Sequence, residues 1–176
     1  LRLVARREAA GPGVPAVKPA RKRAQAIAQG RGRSERVVIA LAFEVAARIS
    51  ARPLAEFRND ATQLANGLGE LQQALQADGV VCALASRMEW ESAAGAGLDV
   101  DHIVAHGAVA ASLEACRRLR EVHGDNLALL AGLTGPATLA AQFAVDVNAA
   151  CIAFGALVKA FCAAGADVIV LLEDTD

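Results

Sequence analysis

Short apolar runs of strand length occur four times along this chain of 176 residues and alternate with three segments that have the period of helices. The runs are VVIALAF at 37–43, GVVCALA at 79–85, NLALLAGL at 126–133 and ADVIVLL at 166–172. They are apolar throughout rather than at alternate positions, which is typical of parallel strands covered on both faces. Parallel strands need long, usually helical connections, so the pattern predicts an α/β protein.

The segments between these runs have the period of helices. Residues 60–76 carry a leucine on every turn of one face, and Asp60 is the predicted N-cap. Residues 109–122 place apolar side chains on one face and arginines on the other. Residues 137–163 are predicted to be one long alanine-rich helical region, followed by the helix-ending Gly165.

Two architectures accommodate four parallel strand–helix units. A doubly wound nucleotide-binding sheet is disfavoured, because the turn after the first run reads Glu-Val-Ala-Ala at 44–47 where that fold has GxGxxG. A (β/α)₈ TIM barrel takes about 250 residues. We therefore predict half of a (β/α)₈ barrel, whose open edges would favour self-association.

Charge divides the chain into two predicted parts. Residues 1–36 hold ten basic and two acidic side chains, which leaves 8 basic and 17 acidic ones for the remainder. Prolines and glycines are frequent in the same stretch, so we predict a flexible, disordered basic arm over 1–33 and a barrel domain over 34–176. The arm has no aromatic residue to stack on a base, and nucleic acid is not a predicted partner.

Four cysteines, at 82, 116, 151 and 162, are spaced too widely for a CxxC zinc or redox pair and are predicted to be packed as small apolar residues. Reduced thiols without a signal peptide predict a cytoplasmic protein. No apolar stretch reaches the roughly 18 residues of a membrane span, so no membrane association is expected.

Three segments resemble the uroporphyrinogen decarboxylase superfamily, whose members are single (β/α)₈ barrels and include corrinoid-linked methyltransferases. They read VVCALASRMEWESAAG at 80–95, LLAGLTGPATLAAQF at 129–143 and AGADVIVLLED at 164–174. The second is the most specific, because a strand that ends in Gly-Pro before Thr-Leu-Ala-Ala is typical of the family's third strand-to-helix turn. The resemblance covers residues 34–176 loosely and implies the N-terminal half of such a barrel.

The resemblance implies positions that would bind a substrate. Arg48 and Arg52 keep the spacing of two arginines that grip substrate carboxylates after the family's first strand. Ser86 and Gln142 stand where the decarboxylase has a catalytic aspartate and an active-site tyrosine. Decarboxylation of uroporphyrinogen is therefore not expected from this polypeptide.

The methyltransferase branch of the superfamily fits the readable positions better. That branch tends to carry acidic residues in the loop after the second strand, where this chain has Glu89 and Glu91, and its third turn resembles Thr134-Gly135-Pro136. The zinc ligands of the branch belong to the C-terminal half of the barrel, which the resemblance does not reach. Zinc and a corrinoid are thus implied for a full-length relative, and no metal or cofactor is predicted for this chain.

In TIM barrels the carboxyl ends of the strands build the active site. This rule adds Asp174 to Glu89 and Glu91 as predicted catalytic side chains, and Arg87 and Glu173 to the predicted substrate-binding ones. The alternative is that acidic residues merely end apolar strands and face solvent.

His102 and His106 are spaced i, i+4, which would bring two imidazoles onto one helix face as in HExxH metal sites. Residue 103 is isoleucine rather than glutamate, so no general base accompanies them. We favour a solvated helix start with Asp101 as its cap.

Two functional hypotheses follow. The first is tetrapyrrole- or corrinoid-linked one-carbon chemistry, with methyl transfer favoured over the decarboxylation of porphyrin biosynthesis, and with a small-molecule tetrapyrrole or a corrinoid protein as partner. The second is a truncated product without catalysis.

Overall fold

The computed structural model describes residues 18–32, 35–84 and 87–174. Within them, four strands form one parallel sheet in the order β1-β2-β3-β4. The strands are β1 (Ile39–Ala40), β2 (Gly79–Leu84), β3 (Ala128–Thr134) and β4 (Val168–Leu172). The predicted α/β class with parallel strands is confirmed.

Helices connect the strands and cover the sheet. They are α1 (Ala20–Ala28), α2 (Phe43–Ile49), α3 (Leu54–Asn59), α4 (Ala61–Leu75), α5 (Met88–Ala93), α6 (Val100–Ala105), α7 (Gly107–His123), α8 (Pro136–Phe143) and α9 (Val147–Ala163). A 3₁₀ turn (Gly124–Asn126) joins α7 to β3. The main core lies between the sheet and the long helices, where Leu64, Leu119, Leu129 and Leu157 are buried.

Helix α4 begins as the sequence predicts. The Asp60 side chain accepts hydrogen bonds from two backbone N–H groups of the first helical turn, at 2.8 and 3.0 Å. Leu64, Leu68 and Leu71 are buried, whereas Leu75 is 57% exposed. The apolar stripe therefore contacts the core until the last turn, where the helix extends beyond it.

The first strand is much shorter than the predicted 37–43. Pairing is limited to Ile39 and Ala40, and Val38 and Leu41 are 64% and 61% exposed. The strand lies at the edge of the sheet and pairs on one side only, so the chain leaves it early. Phe43 instead buries its ring as the first residue of α2.

The predicted long helix over 137–163 is two helices. Ala144 adopts a left-handed conformation with φ +53°, which ends α8. Asp146 then caps α9 by accepting hydrogen bonds from the N–H groups of Asn148 and Ala149, at 2.9 and 3.1 Å. The two helices are bent by 116° relative to each other.

In the described part of the chain, no single helix is long and apolar enough to cross a membrane. Helices α8 and α9 reach the length and composition of a membrane span only when they are taken together as a bent pair. Leu139 in α8 and Leu157 and Phe161 in α9 are fully buried in the core.

The structure corrects the predicted flexible arm over residues 18–32, while residues 1–17, 33 and 34 lie outside the described residues. Helix α1 packs on the sheet, with Ala20 and Ala24 buried against Ala128. Ile27 and Val168 help to line a small apolar cavity of about 190 Å³ beside this contact. Small side chains let the helix approach the strands closely. The sequence analysis missed this contact because it judged the segment by its charge and proline content.

Ion pairs hold α1 at the amino ends of the strands. Arg23 pairs with Asp78, directly before β2, at 2.5 Å. Arg21 pairs with Asp167, directly before β4, at 2.8 Å. The Asp167 side chain is fully buried and also pairs with Arg120 at 2.5 Å. The basic segment thus complements carboxylates far away in the sequence.

The two outer strands leave the sheet with open edges. On β4, Val170 and Leu171 are largely exposed. Self-association through these edges stays a prediction.

We expect trypsin to spare the Arg21, Lys22 and Arg23 peptide bonds, because α1 is helical and docked. Ala24→Asp would place a carboxylate against Ala128 and should undock the helix, at a cost of about 2–4 kcal/mol. The three bonds should then become cleavable, whereas Gln29→Asp, at the exposed end of the same helix, should leave them protected. Rapid cleavage of the wild type after Arg21, Lys22 or Arg23, identified by mass spectrometry, would contradict the docked helix.

Candidate functional site

The carboxyl ends of parallel strands meet at one edge of a sheet, here called the carboxyl edge. The segments that follow β2, β3 and β4 bring predicted site residues to this edge in two groups. Glu89 lies against Thr134, and Glu173 and Asp174 lie against Gly135 and the start of α8.

Glu89 is fully buried and joins α5 to the end of β3. Its Oε1 accepts a hydrogen bond from the Thr134 backbone N–H at 3.1 Å, and its Oε2 accepts one from the Thr134 hydroxyl at 2.6 Å. Burial raises the pKa of Glu89 above the ordinary value for glutamate, and the hydrogen bonds offset only part of this effect. The carboxyl group therefore holds a proton more readily than an exposed glutamate does.

Glu173 caps helix α8 instead of merely facing solvent. Its Oε1 accepts from the Ala137 N–H at 3.1 Å, and its Oε2 accepts from the Thr138 N–H at 2.8 Å and the Thr138 hydroxyl at 2.7 Å. Desolvation acts to raise the pKa of Glu173, but these hydrogen bonds outweigh it and the pKa is lowered. The side chain is thus a carboxylate at the positive end of a helix.

Gly135 makes this cap possible. A methyl group at this position would overlap the carboxyl group of Glu173. The Gly135 N–H also donates to the Leu172 carbonyl oxygen at 2.7 Å, which ties the end of β3 to the end of β4. The glycine is required by close approach and not by its backbone angles, since its φ of −72° suits any residue.

Thr138 is a residue that the sequence analysis missed. Its hydroxyl donates to Glu173 Oε2 and accepts from the Asp174 backbone N–H at 2.8 Å. One side chain thereby sets the position of both acidic residues after β4. The only sequence signal for it is a hydroxyl residue in the first turn of a helix that begins with Gly-Pro.

An open cavity of about 470 Å³ lies beside these residues. It is lined by Ala137, Thr138, Ala141, Gln142 and Asp174. The volume is within the range of small-molecule sites. Two predicted site residues, Gln142 and Asp174, therefore meet at one cavity.

Arg48 and Arg52 meet at a different cavity of about 310 Å³, which Glu44 also lines. Both arginines are exposed. Ala51, between them, has φ +52°, which turns the chain sharply after α2. The predicted spacing brings the two guanidinium groups to one place, but not to the cavity that Asp174 lines.

The remaining predicted residues lie in or before α5. Arg87 and Glu91 are exposed, and Ser86 lies outside the described residues. Trp90, between them, contacts Phe143 edge to face, with ring centroids 5.0 Å apart. This contact links α5 to the end of α8.

No group of three or more His, Cys, Asp or Glu side chains among the described residues is placed to hold a metal ion. Cys82 and Cys116 are buried as predicted, but Cys151 and Cys162 are exposed on α9. The prediction that all four cysteines are packed is wrong for these two, because they lie on the outer face of the helix.

Comparisons with known proteins support the fold. Neither the scan against protein-family models nor the search of curated proteins gave a match. A solved structure, a methyltransferase from Methanosarcina mazei, is similar with a TM-score of 0.70 and 19% sequence identity. The match covers 89% of this chain and 59% of that one. The predicted partial TIM-barrel fold is confirmed.

Gly135→Ala should lower the free energy of unfolding by about 1–2 kcal/mol, because the new methyl group pushes the exposed Glu173 side chain out of its capping position. In a Glu173→Ala background the same change should cost less than about 1 kcal/mol, since the clash is gone. Urea denaturation of the wild type, the two single variants and the double variant measures this coupling.

Gly155→Ala is a matched control, because nothing lies within 4 Å of its added methyl group. This substitution should stabilise α9 by up to about 1 kcal/mol. Additive effects of the Gly135 and Glu173 substitutions would contradict the close contact.

Proposed function

We propose that the chain forms part of a methyl-transfer enzyme of the uroporphyrinogen decarboxylase superfamily, in its corrinoid-linked branch. Two independent observations support this proposal: the sequence LLAGLTGPATLAAQF at 129–143 and the likeness of the fold to a methyltransferase. The observation that carries the proposal is the cavity at the carboxyl edge, where this architecture places its active sites.

Asp174 is the proposed catalytic base. It is exposed at the rim of the cavity, and the Thr138 hydroxyl fixes its backbone N–H. Its carboxylate would take the proton from a thiol acceptor. The resulting thiolate would then attack the methyl carbon, and the bond between that carbon and the donor would break with its electron pair left on the donor. We derive no step through zinc.

Glu89 is proposed as a positioning residue. Both of its carboxyl oxygens already accept hydrogen bonds from Thr134, and none of its surface is exposed. A side chain in this position holds α5 and the end of β3 in register rather than touching a substrate. Arg87 and Glu91 on the exposed side of α5 are then available to contact the partner that presents the methyl donor.

Arg48 and Arg52 are proposed to bind an anionic group of the partner that presents the methyl donor. Both side chains are exposed at one cavity, which is not the cavity that Asp174 lines, and paired guanidinium groups favour a phosphate or a carboxylate. Gln142, which lines the Asp174 cavity, would contact the acceptor. The acceptor class is thus a small thiol.

The experiment uses methylcobalamin as the probe donor and 3-mercaptopropionate as the acceptor. The transfer is followed under anaerobic conditions by the loss of the methylcobalamin absorbance. Mass spectrometry detects the methyl thioether that forms. Asp174→Asn should lower kcat by about 100-fold, whereas Asp101→Asn, at an exposed position in α6, should not change it.

Arg48→Gln and Arg52→Gln should raise KM for methylcobalamin, which carries a phosphodiester, and leave KM for 3-mercaptopropionate unchanged. Absence of methyl transfer above the buffer rate would contradict the proposal and favour a non-catalytic product. Decarboxylation of uroporphyrinogen by the chain would contradict it in favour of a carboxy-lyase.

A further inference from the structure

Two histidine rings stack at the junction of α6 and α7. The ring centroids of His102 and His106 are 4.0 Å apart, and their planes differ by 18°. His102 is half-buried and His106 is exposed, so a solute can reach both rings. The i, i+4 spacing thus brings the two imidazoles together.

The tautomer of His106 is set by its own backbone surroundings. Its Nδ1 lies 2.8 Å from the carbonyl oxygen of His102. Because a carbonyl oxygen only accepts hydrogen bonds, Nδ1 carries the hydrogen and the lone pair of the neutral ring is on Nε2. Histidines that bind metal ions commonly donate their other ring N–H to a backbone carbonyl in this way.

The backbone that carries the two rings is held on both sides. Ile103, between them, is fully buried. Asp99 caps α6, in place of the predicted Asp101, by accepting from the next two helical N–H groups at 3.0 and 3.3 Å. Beyond the junction, the Val109 N–H donates to the buried Ser92 hydroxyl at 3.2 Å. The fold therefore fixes the backbone from which both side chains project.

We propose that His102 and His106 together bind one borderline divalent transition-metal ion, of the class of Ni²⁺, Zn²⁺ and Cu²⁺. Imidazole nitrogens suit these ions, at a distance of about 2.0–2.1 Å for zinc. In the stacked arrangement the nitrogen lone pairs lie in nearly parallel planes, so both exposed side chains must turn about their χ angles before a nitrogen of each faces one ion. Among the described residues no third side chain completes the set, so the remaining coordination positions are open to water or to a donor atom of another molecule.

The proposal does not depend on the proposed methyl transfer. It changes the interpretation of the sequence, which favoured a merely solvated helix start at this place. The observations that change it are the closeness of the two rings and the hydrogen bond at Nδ1, which the spacing alone does not establish. Hard cations such as Mg²⁺ prefer oxygen ligands and should not bind here.

The test is an isothermal titration of the full chain with Ni²⁺ at pH 7.5. Cys151→Ser/Cys162→Ser serves as the common background, because these two thiols are exposed and would also bind the metal. We expect one ion per chain, and His102→Gln and His106→Gln should each weaken binding at least about tenfold, since each removes the chelate. His123→Gln is the matched control, because the chain has three histidines and His123 lies at the other end of α7, about 25 Å away.

A second measurement needs no histidine substitution. Substoichiometric Ni²⁺ should broaden the imidazole proton signals of His102 and His106 and spare those of His123. No binding at 1 mM Ni²⁺ (roughly −4 kcal/mol), unchanged binding in His102→Gln, or equal broadening of all three histidines would overturn the proposal.

Discussion

A fully buried carboxyl group connects the segments at the carboxyl edge of this sheet. Glu89 leaves water completely, and both the N–H and the hydroxyl of Thr134 donate to its carboxyl group. A buried carboxylate without such donors would cost several kcal/mol. The position of α5 relative to β3 therefore depends on this pair, and with it the Trp90–Phe143 contact that reaches α8.

The two ends of the strands are organised differently. At the amino ends, Arg21 and Arg23 of α1 satisfy the carboxylates that precede β4 and β2. At the carboxyl edge, Glu173 satisfies the first N–H groups of α8, and an open cavity remains beside it. One end is covered by a helix and the other is accessible, as expected for a barrel that uses its carboxyl edge for chemistry.

The sequence predicts the features that depend on neighbouring residues. Continuous apolar runs predict β2, β3 and β4, and a capping carboxylate predicts the start of α4.

The sequence does not predict features that depend on distant residues or on locally unfavourable backbone conformations. Ala144 ends α8 in a left-handed conformation although alanine is the best helix former. The Glu173 cap and the Arg21–Asp167 pair each join residues 35 or more positions apart. Arg48 and Arg52 were located by spacing, but their separation from Asp174 required the fold.

The most direct test of this account is the pH dependence of stability in the wild type and in Glu89→Gln. The raised pKa of Glu89 in the folded state means that its contribution is fully present below the unfolded-state pKa, about 4.3, and is lost as the pH rises through the folded-state pKa. Urea denaturation should therefore show that the free energy of unfolding of the wild type, minus that of the variant, falls as the pH rises above about 4. A difference that stays constant or increases with pH would contradict the burial of this carboxyl group at the carboxyl edge.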